Sequence, residues 1–144
     1  MPSTRLTEKG PSAMDISGNK RIIQTFFDSG NCGDMESCFA QLADDVTWTN
    51  IGSTQYSGTY RGKAVLMEEL LGPLFGKLKA GIFSTVDNII AEGDMVVAQS
   101  RGTAETLDGR TYNNTYCHVF KLRDEKIAEV TEYLDTALIN DVFD

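Results

Sequence analysis

The sequence holds one histidine, His118, and three cysteines, Cys32, Cys38 and Cys117, among 144 residues. No C-x-x-C pair occurs and one histidine cannot complete a zinc constellation, so no metal site is expected. An odd count of unpaired-looking cysteines argues against disulfide stapling and for a reducing compartment, and a cytoplasmic location is expected. Basic residues are also few: 13 Lys and Arg stand against 21 Asp and Glu, a net charge of −8. They are scattered rather than striped, which argues against nucleic acid, whose phosphates require clustered cations. No apolar run approaches the roughly 20 residues of a membrane helix, so no membrane partner is expected. The first sixteen residues, MPSTRLTEKGPSAMDI, lack the apolar stretch of a secretory signal and read as a polar mobile tail over 1–16. There is no repeat, no low-complexity run and no phosphate-binding glycine loop; GKAV after Arg61 lacks the spacing. No cofactor is expected.

What the chain does contain is enough apolar material, 41%, for one core, and a single domain is expected over 17–144. Ser17 reads as an N-cap for a helix carrying Ile22, Ile23, Phe26 and Phe27, stopped at Gly30. A short helix follows from about Asp34 to Leu42. Val46 to Asn50 alternates and is β-branched, so it reads as a strand, and 51–61 reads as a loop. A third helix begins near Gly62, with Gly72-Pro73 expected to kink it. Beyond Gly81 the period changes to two. Strands are expected over Phe83–Ala91, Met95–Leu107, Thr111–Arg123 and Lys126–Asp135, with turns at 92–94, 108–109 and 124–125, then a short terminal helix over 136–143. Helices grouped ahead of an antiparallel meander indicate an α+β fold. Long strands must bend, and a bent sheet closed by about three helices leaves a cone.

Three stretches carry a family resemblance. FFDSGNCGDMESCFAQLADDVTW, YSGTYRGKAV and YCHVFKLRDEKIAEVTEYLDT resemble the first helices and strand, the loop into the third helix, and the last two strands of the nuclear transport factor 2-like superfamily. Its members include SnoaL-like polyketide cyclases, ketosteroid isomerases and limonene-epoxide-hydrolase-type enzymes. The likeness spans about residues 18–138 and implies a cone-shaped, cystatin-like α+β domain, a pocket for a small apolar molecule and a homodimer. It departs at Glu125, where the family often has glycine.

The resemblance also suggests site residues, each with a plainer alternative. Asp135, ending YLDT, matches an acid that points into the pocket of hydrolase and cyclase relatives, where burial suits it to general acid/base work; alternatively it caps the terminal helix. Arg101 lies in mid-strand, in phase with Thr103, and resembles the arginine held between two acids in the hydrolase type; alternatively it is solvated. Thr103 occupies the place of the second acid, so that relay cannot form. Asn50, with Trp48 two residues before it, resembles a pair that holds water; alternatively Asn50 ends the strand in a turn. His118 is in phase with Asn114, Tyr116 and Phe120 and resembles a proton-shuttling cyclase histidine paired with an acid on the last strand; alternatively it fills the core. Tyr56, Tyr60, Tyr112, Tyr116 and Tyr133 offer phenol donors. The isomerase base and its helix tyrosine have no match. The expected catalytic set is Asp135, Arg101, His118 and Asn50, with Trp48, Tyr60, Thr103, Tyr116 and Tyr133 binding substrate. The chemistry implied is cofactor-independent isomerisation, cyclisation, hydration or hydrolysis of a carbonyl or polyketide-like compound. A binding module or a dimerising interaction domain are the rival readings.

Overall fold

The computed structural model describes residues 15–144. Of the tail expected over 1–16, all but Asp15 and Ile16 lie outside the described residues, and these two belong to the first helix. Helix α1 (Ile16–Asn31) is capped by Asp15, whose carboxylate accepts from the Gly18 N–H at 3.0 Å. Capping thus falls on Asp15 rather than Ser17. The helix also runs past Gly30. Its end is a Schellman motif in which Asp34 N–H reaches Ser29 O and Gly33 N–H reaches Gly30 O. Gly33 takes φ +77°, the left-handed turn that glycine adopts without steric cost. Asp34 then caps α2 (Met35–Ala40).

Strand β1 (Leu42–Asn50) is longer than the alternating pattern suggested and pairs antiparallel with a short edge strand, β2 (Gly58–Arg61), inside the expected loop. The third helical segment is broken as Gly72-Pro73 implied. It comprises α3 (Lys63–Val65), a π-helical turn over Leu66–Leu71 and α4 (Gly72–Phe75). Pro73 has no N–H, and its ring would crowd the carbonyl four residues back, so the helix widens by one residue. Gly72 N–H bonds to Met67 O, and a side chain at Gly72 would meet that oxygen at 2.9 Å.

Strands β3 (Phe83–Glu92), β4 (Met95–Thr103), β5 (Thr115–Arg123) and β6 (Lys126–Leu134) form the meander, and α5 (Thr136–Phe143) closes the chain. The sheet order is β2-β1-β6-β5-β4-β3, antiparallel except for the β1–β6 pair. β4 and β5 are shorter than expected because asparagine side chains and single bridges replace the regular ladder over 104–114: Ala104 N–H bonds to Asn113 Oδ1, and Glu105 only bridges Thr111. The curved sheet wraps α1 and the third helical segment, and Ile23, Phe27, Leu66, Leu70, Phe120 and Val130 fill the space between.

Two irregularities in the β5–β6 hairpin matter. The turn residues Asp124 and Glu125 have φ of +52° and +65°, a two-residue primed turn. Left-handed backbone costs a non-glycine residue roughly 1 kcal/mol. Glu125→Gly is therefore expected to raise stability by about 1 kcal/mol, read as a higher urea midpoint with unchanged slope. The second is a bulge. Arg123 pairs with Lys126 and Leu122 with Ile127, but Lys121 pairs with Glu129, so Ala128 is one residue extra on β6. Ile127 and Ala128 are both buried in consequence, and beyond them the inward positions become Val130, Glu132 and Leu134.

Candidate active site

A cavity of about 350 Å³ lies between the helices and the concave face of the sheet. Its walls are largely apolar, with Phe26, Phe27, Leu66, Leu70 and Leu74 from the helices. The polar groups come mostly from the strands, with Asn31 from α1 and Tyr56 and Tyr112 from loops. On β5, Tyr116, His118 and Phe120 face inward in period two, and the β6 bulge sets Glu132 directly across from His118. Nε2 of His118 and Oε1 of Glu132 are 2.9 Å apart, with side chains 7% and 14% exposed. The imidazole sits among the rings of Phe27, Trp48, Tyr116 and Phe120, at centroid separations of 5.8, 5.9, 5.5 and 5.7 Å. Its Nδ1 is buried without a partner among the described residues. A carboxylate at Glu132 holds the proton on Nε2 and leaves a lone pair on Nδ1. A buried acid and base sharing one short contact can take up and return a proton without solvent.

Asn50 and Trp48 also line the cavity, but they are tied to each other. Trp48 Nε1–H donates to Asn50 Oδ1 at 2.9 Å, and Asn50 Nδ2–H donates to Tyr56 O at 3.2 Å. Asn50 thereby anchors the loop after β1 and keeps one amide hydrogen uncommitted. Tyr116 lines the cavity, and its hydroxyl donates to the Tyr112 hydroxyl at 3.3 Å. Tyr60 instead braces the loop, donating to Tyr56 O at 2.8 Å.

Four further expected site residues, like Tyr60, stand outside the cavity lining. Asp135 is the exposed N-cap of α5, its carboxylate accepting from Ala137 and Leu138 N–H at 3.1 and 3.3 Å. Arg101 is on the outer face of the sheet, bound bidentately to Asp87 at 2.9 and 2.8 Å. That pairing holds the Asp87 carboxyl below the usual carboxylate range. Thr103 is exposed on the same outer face, and Tyr133 on β6 is 47% exposed. Period two did group Glu129, Thr131 and Tyr133 correctly, but the bulge turns that group outward. Counted back from the 124–125 turn without interruption, His118 meets Thr131; the one extra residue replaces it with Glu132. Glu132 was missed for that reason. Its visible signal was an acid in EVTEYLD two residues inward from an apolar position, Val130.

Burial raises the phenols of Tyr112 and Tyr116 above the ordinary tyrosine range and pushes the Cys38 thiol up to about 11. These groups keep their protons in the folded chain at a pH where the unfolded chain has released them, so the unfolded state binds fewer protons and stability falls as pH rises. The loss is expected to begin near the ordinary thiol and phenol values, about 9 to 10. Urea midpoints measured across this window should drop, and should drop less in Tyr116→Phe.

Three helical segments and a terminal helix around a bent six-stranded sheet define the nuclear transport factor 2-like, cystatin-like α+β class. Solved structures share it. An NTF2-like protein of unknown function from Burkholderia pseudomallei is 19% identical over 87% of this chain and 96% of its own, with a TM-score of 0.78. TerC, co-crystallised with polyporic acid, is 23% identical over 87% of this chain and 97% of its own, at 0.77. An epoxide hydrolase of the limonene-epoxide-hydrolase-like type from Mycobacterium tuberculosis is 19% identical over 88% and 90%, at 0.71. At these identities the likeness establishes the fold. No functionally curated protein matches the sequence closely. The SnoaL-like domain model matches residues 23–130, and the chain belongs to the SnoaL-like family.

Proposed function

We propose that this protein is an acid/base enzyme that binds a small, neutral, largely apolar carbonyl or polyketide-like compound and moves a proton on it through His118 and Glu132. The observation that carries this reading is the buried His118–Glu132 contact of 2.9 Å in the wall of an apolar cavity. Such a pair is costly to desolvate and contributes little net stability, so a role beyond packing accounts for it best. A volume of about 350 Å³ suits a small organic molecule. Among the described residues the lining includes no lysine or arginine, so an anionic ligand would find no countercharge from them. Isomerisation, cyclisation, hydration and dehydration all need the same proton transfer beside a carbonyl. An epoxide hydrolase shares the fold, but the arginine of its type has no counterpart in this cavity, since Arg101 lies on the outer face.

The outer face fits the homodimer that the family resemblance implies. Val97, Cys117, Val119 and Thr131 are half-buried there beside exposed Tyr133 and Met95, a surface suited to a second copy. A cytoplasmic location belongs to the same proposal.

The test uses no knowledge of the natural substrate. Small enolisable aryl ketones are incubated with the protein in deuterated water, and deuterium uptake beside the carbonyl is followed by NMR. Enzyme-dependent uptake supports the reading. Ketones that bind, by thermal shift, yet take up no deuterium above the uncatalysed rate would replace it with the non-catalytic binding module.

A further inference from the structure

We infer that the Tyr112 phenol is a preset hydrogen-bond donor for an uncharged oxygen acceptor of the ligand, which it holds at the end of the cavity beneath Phe143. The inference rests on the cavity being a ligand site, but not on its being catalytic.

The argument is a proton count. Asn114 is 2% exposed, and its Oδ1 accepts from the backbone N–H groups of Thr115 at 2.7 Å and Asp135 at 3.0 Å. With the oxygen so fixed, Nδ2 is the donating end. It donates to Asp135 O and to the Tyr112 hydroxyl, each at 3.1 Å. The Tyr112 oxygen also accepts the Tyr116 proton at 3.3 Å. Two phenols sharing one contact leave one phenolic proton without a partner, and with Tyr116 the donor across that contact the unpaired proton is that of Tyr112. Among the described residues nothing accepts it. Tyr112 is 2% exposed and lines the cavity, so a partner for its proton has to come from within the cavity.

A buried donor left unpaired is costly, and two hydrogen bonds received by the phenol oxygen make its own proton a stronger donor. A second phenol lies at the same end. The Tyr56 hydroxyl is buried with no partner among the described residues, and the Phe143 ring packs on both tyrosines at centroid distances of 5.5 and 4.9 Å. Tyr56, Tyr112 and Tyr116 all line the cavity. The acceptor they fit is neutral. Glu132 is close enough to make ionisation of Tyr112 and Tyr116 harder, and that same field opposes an incoming carboxylate. A ketone or aldehyde oxygen satisfies the donor without that penalty.

Three naphthalenes of one shape test this. Acetylnaphthalene offers a carbonyl, isopropenylnaphthalene replaces its oxygen by a methylene group, and naphthoate carries a charge. Binding is followed by quenching of Trp48 fluorescence, and the ketone's carbonyl stretch by infrared difference spectroscopy. Wild type is expected to prefer the ketone to the hydrocarbon by roughly tenfold, the range of one net hydrogen bond, to reject naphthoate, and to lower the carbonyl stretch. Tyr112→Phe should erase both the preference and the spectral shift while binding the hydrocarbon as before. Should that variant fail to fold, difluorotyrosine at position 112 keeps the shape and strengthens the donor, and should lower the stretch further. Equal binding of ketone and hydrocarbon, or a stretch unmoved by either change at Tyr112, overturns the inference while leaving the proton-transfer reading intact. Failure of every naphthalene to bind overturns both. Binding with the expected stretch but no deuterium uptake upholds the donor and removes the catalysis.

Discussion

Glu132→Gln is expected to abolish most proton transfer, slowing deuterium uptake by about 10²–10⁴-fold, the usual contribution of a positioned acid/base group. The substitution is nearly isosteric, and the glutamine carbonyl can still accept from the His118 Nε2–H, so the fold should survive. What is lost is the negative charge that fixes the imidazole tautomer and the site where a proton can rest. Circular dichroism and hydrocarbon binding should match wild type. The control is Asp135→Asn. Asparagine caps a helix about as well as aspartate, so this variant should change neither stability nor rate by a measurable amount. The reverse pattern, a large loss in Asp135→Asn and none in Glu132→Gln, would return the chemistry to the end of β6 and remove it from the cavity wall.

The largest loss of stability is expected at Phe120. Its side chain is fully buried on β5 and meets Phe26 and Phe27 edge-on at centroid distances of 6.0 and 6.2 Å, with His118 stacked at 5.7 Å. Phe120→Ala removes a whole ring from between α1 and the sheet. Large-to-small changes of this kind cost about 3–5 kcal/mol, transfer and cavity terms together. Against a total of roughly 5–15 kcal/mol, that leaves a marginal domain. Denaturant midpoints of the two proteins measure the loss directly, and a loss below about 1 kcal/mol would mean that the ring does not fill the core between α1 and the sheet. The same substitution removes one of the walls that hold the imidazole, so ligand affinity should fall even at temperatures where the variant stays folded.

Much of the architecture was legible in the residues. Periodicity placed every helix and strand except β2, the Gly72-Pro73 step announced the broken third segment, and the clustering of helices ahead of a meander implied the α+β class. The limits of elements were less legible where side chains compete with the backbone: Asp15 extends α1, Asn113 and Asn114 cut β4 and β5 short, and Gly33 rather than Gly30 ends the first helix. At the site, phase grouped His118 with Tyr116, the family resemblance suggested a pocket role for His118, Trp48 and Asn50, and the structure brings these four together around the cavity. Asp135, Arg101, Thr103 and Tyr133 share an alternation as regular as theirs, yet they point the other way. The alternation of a strand states which residues share a face. It does not state which face is the inner one, because that depends on an unbroken count from the turn. One extra residue at Ala128 breaks the count on β6. The sequence by itself thus determined the elements, their order and the groups of residues that stand together. Only tertiary structure decided that Glu132 meets His118, because a bulge arises from packing between strands and leaves no periodic mark in the chain.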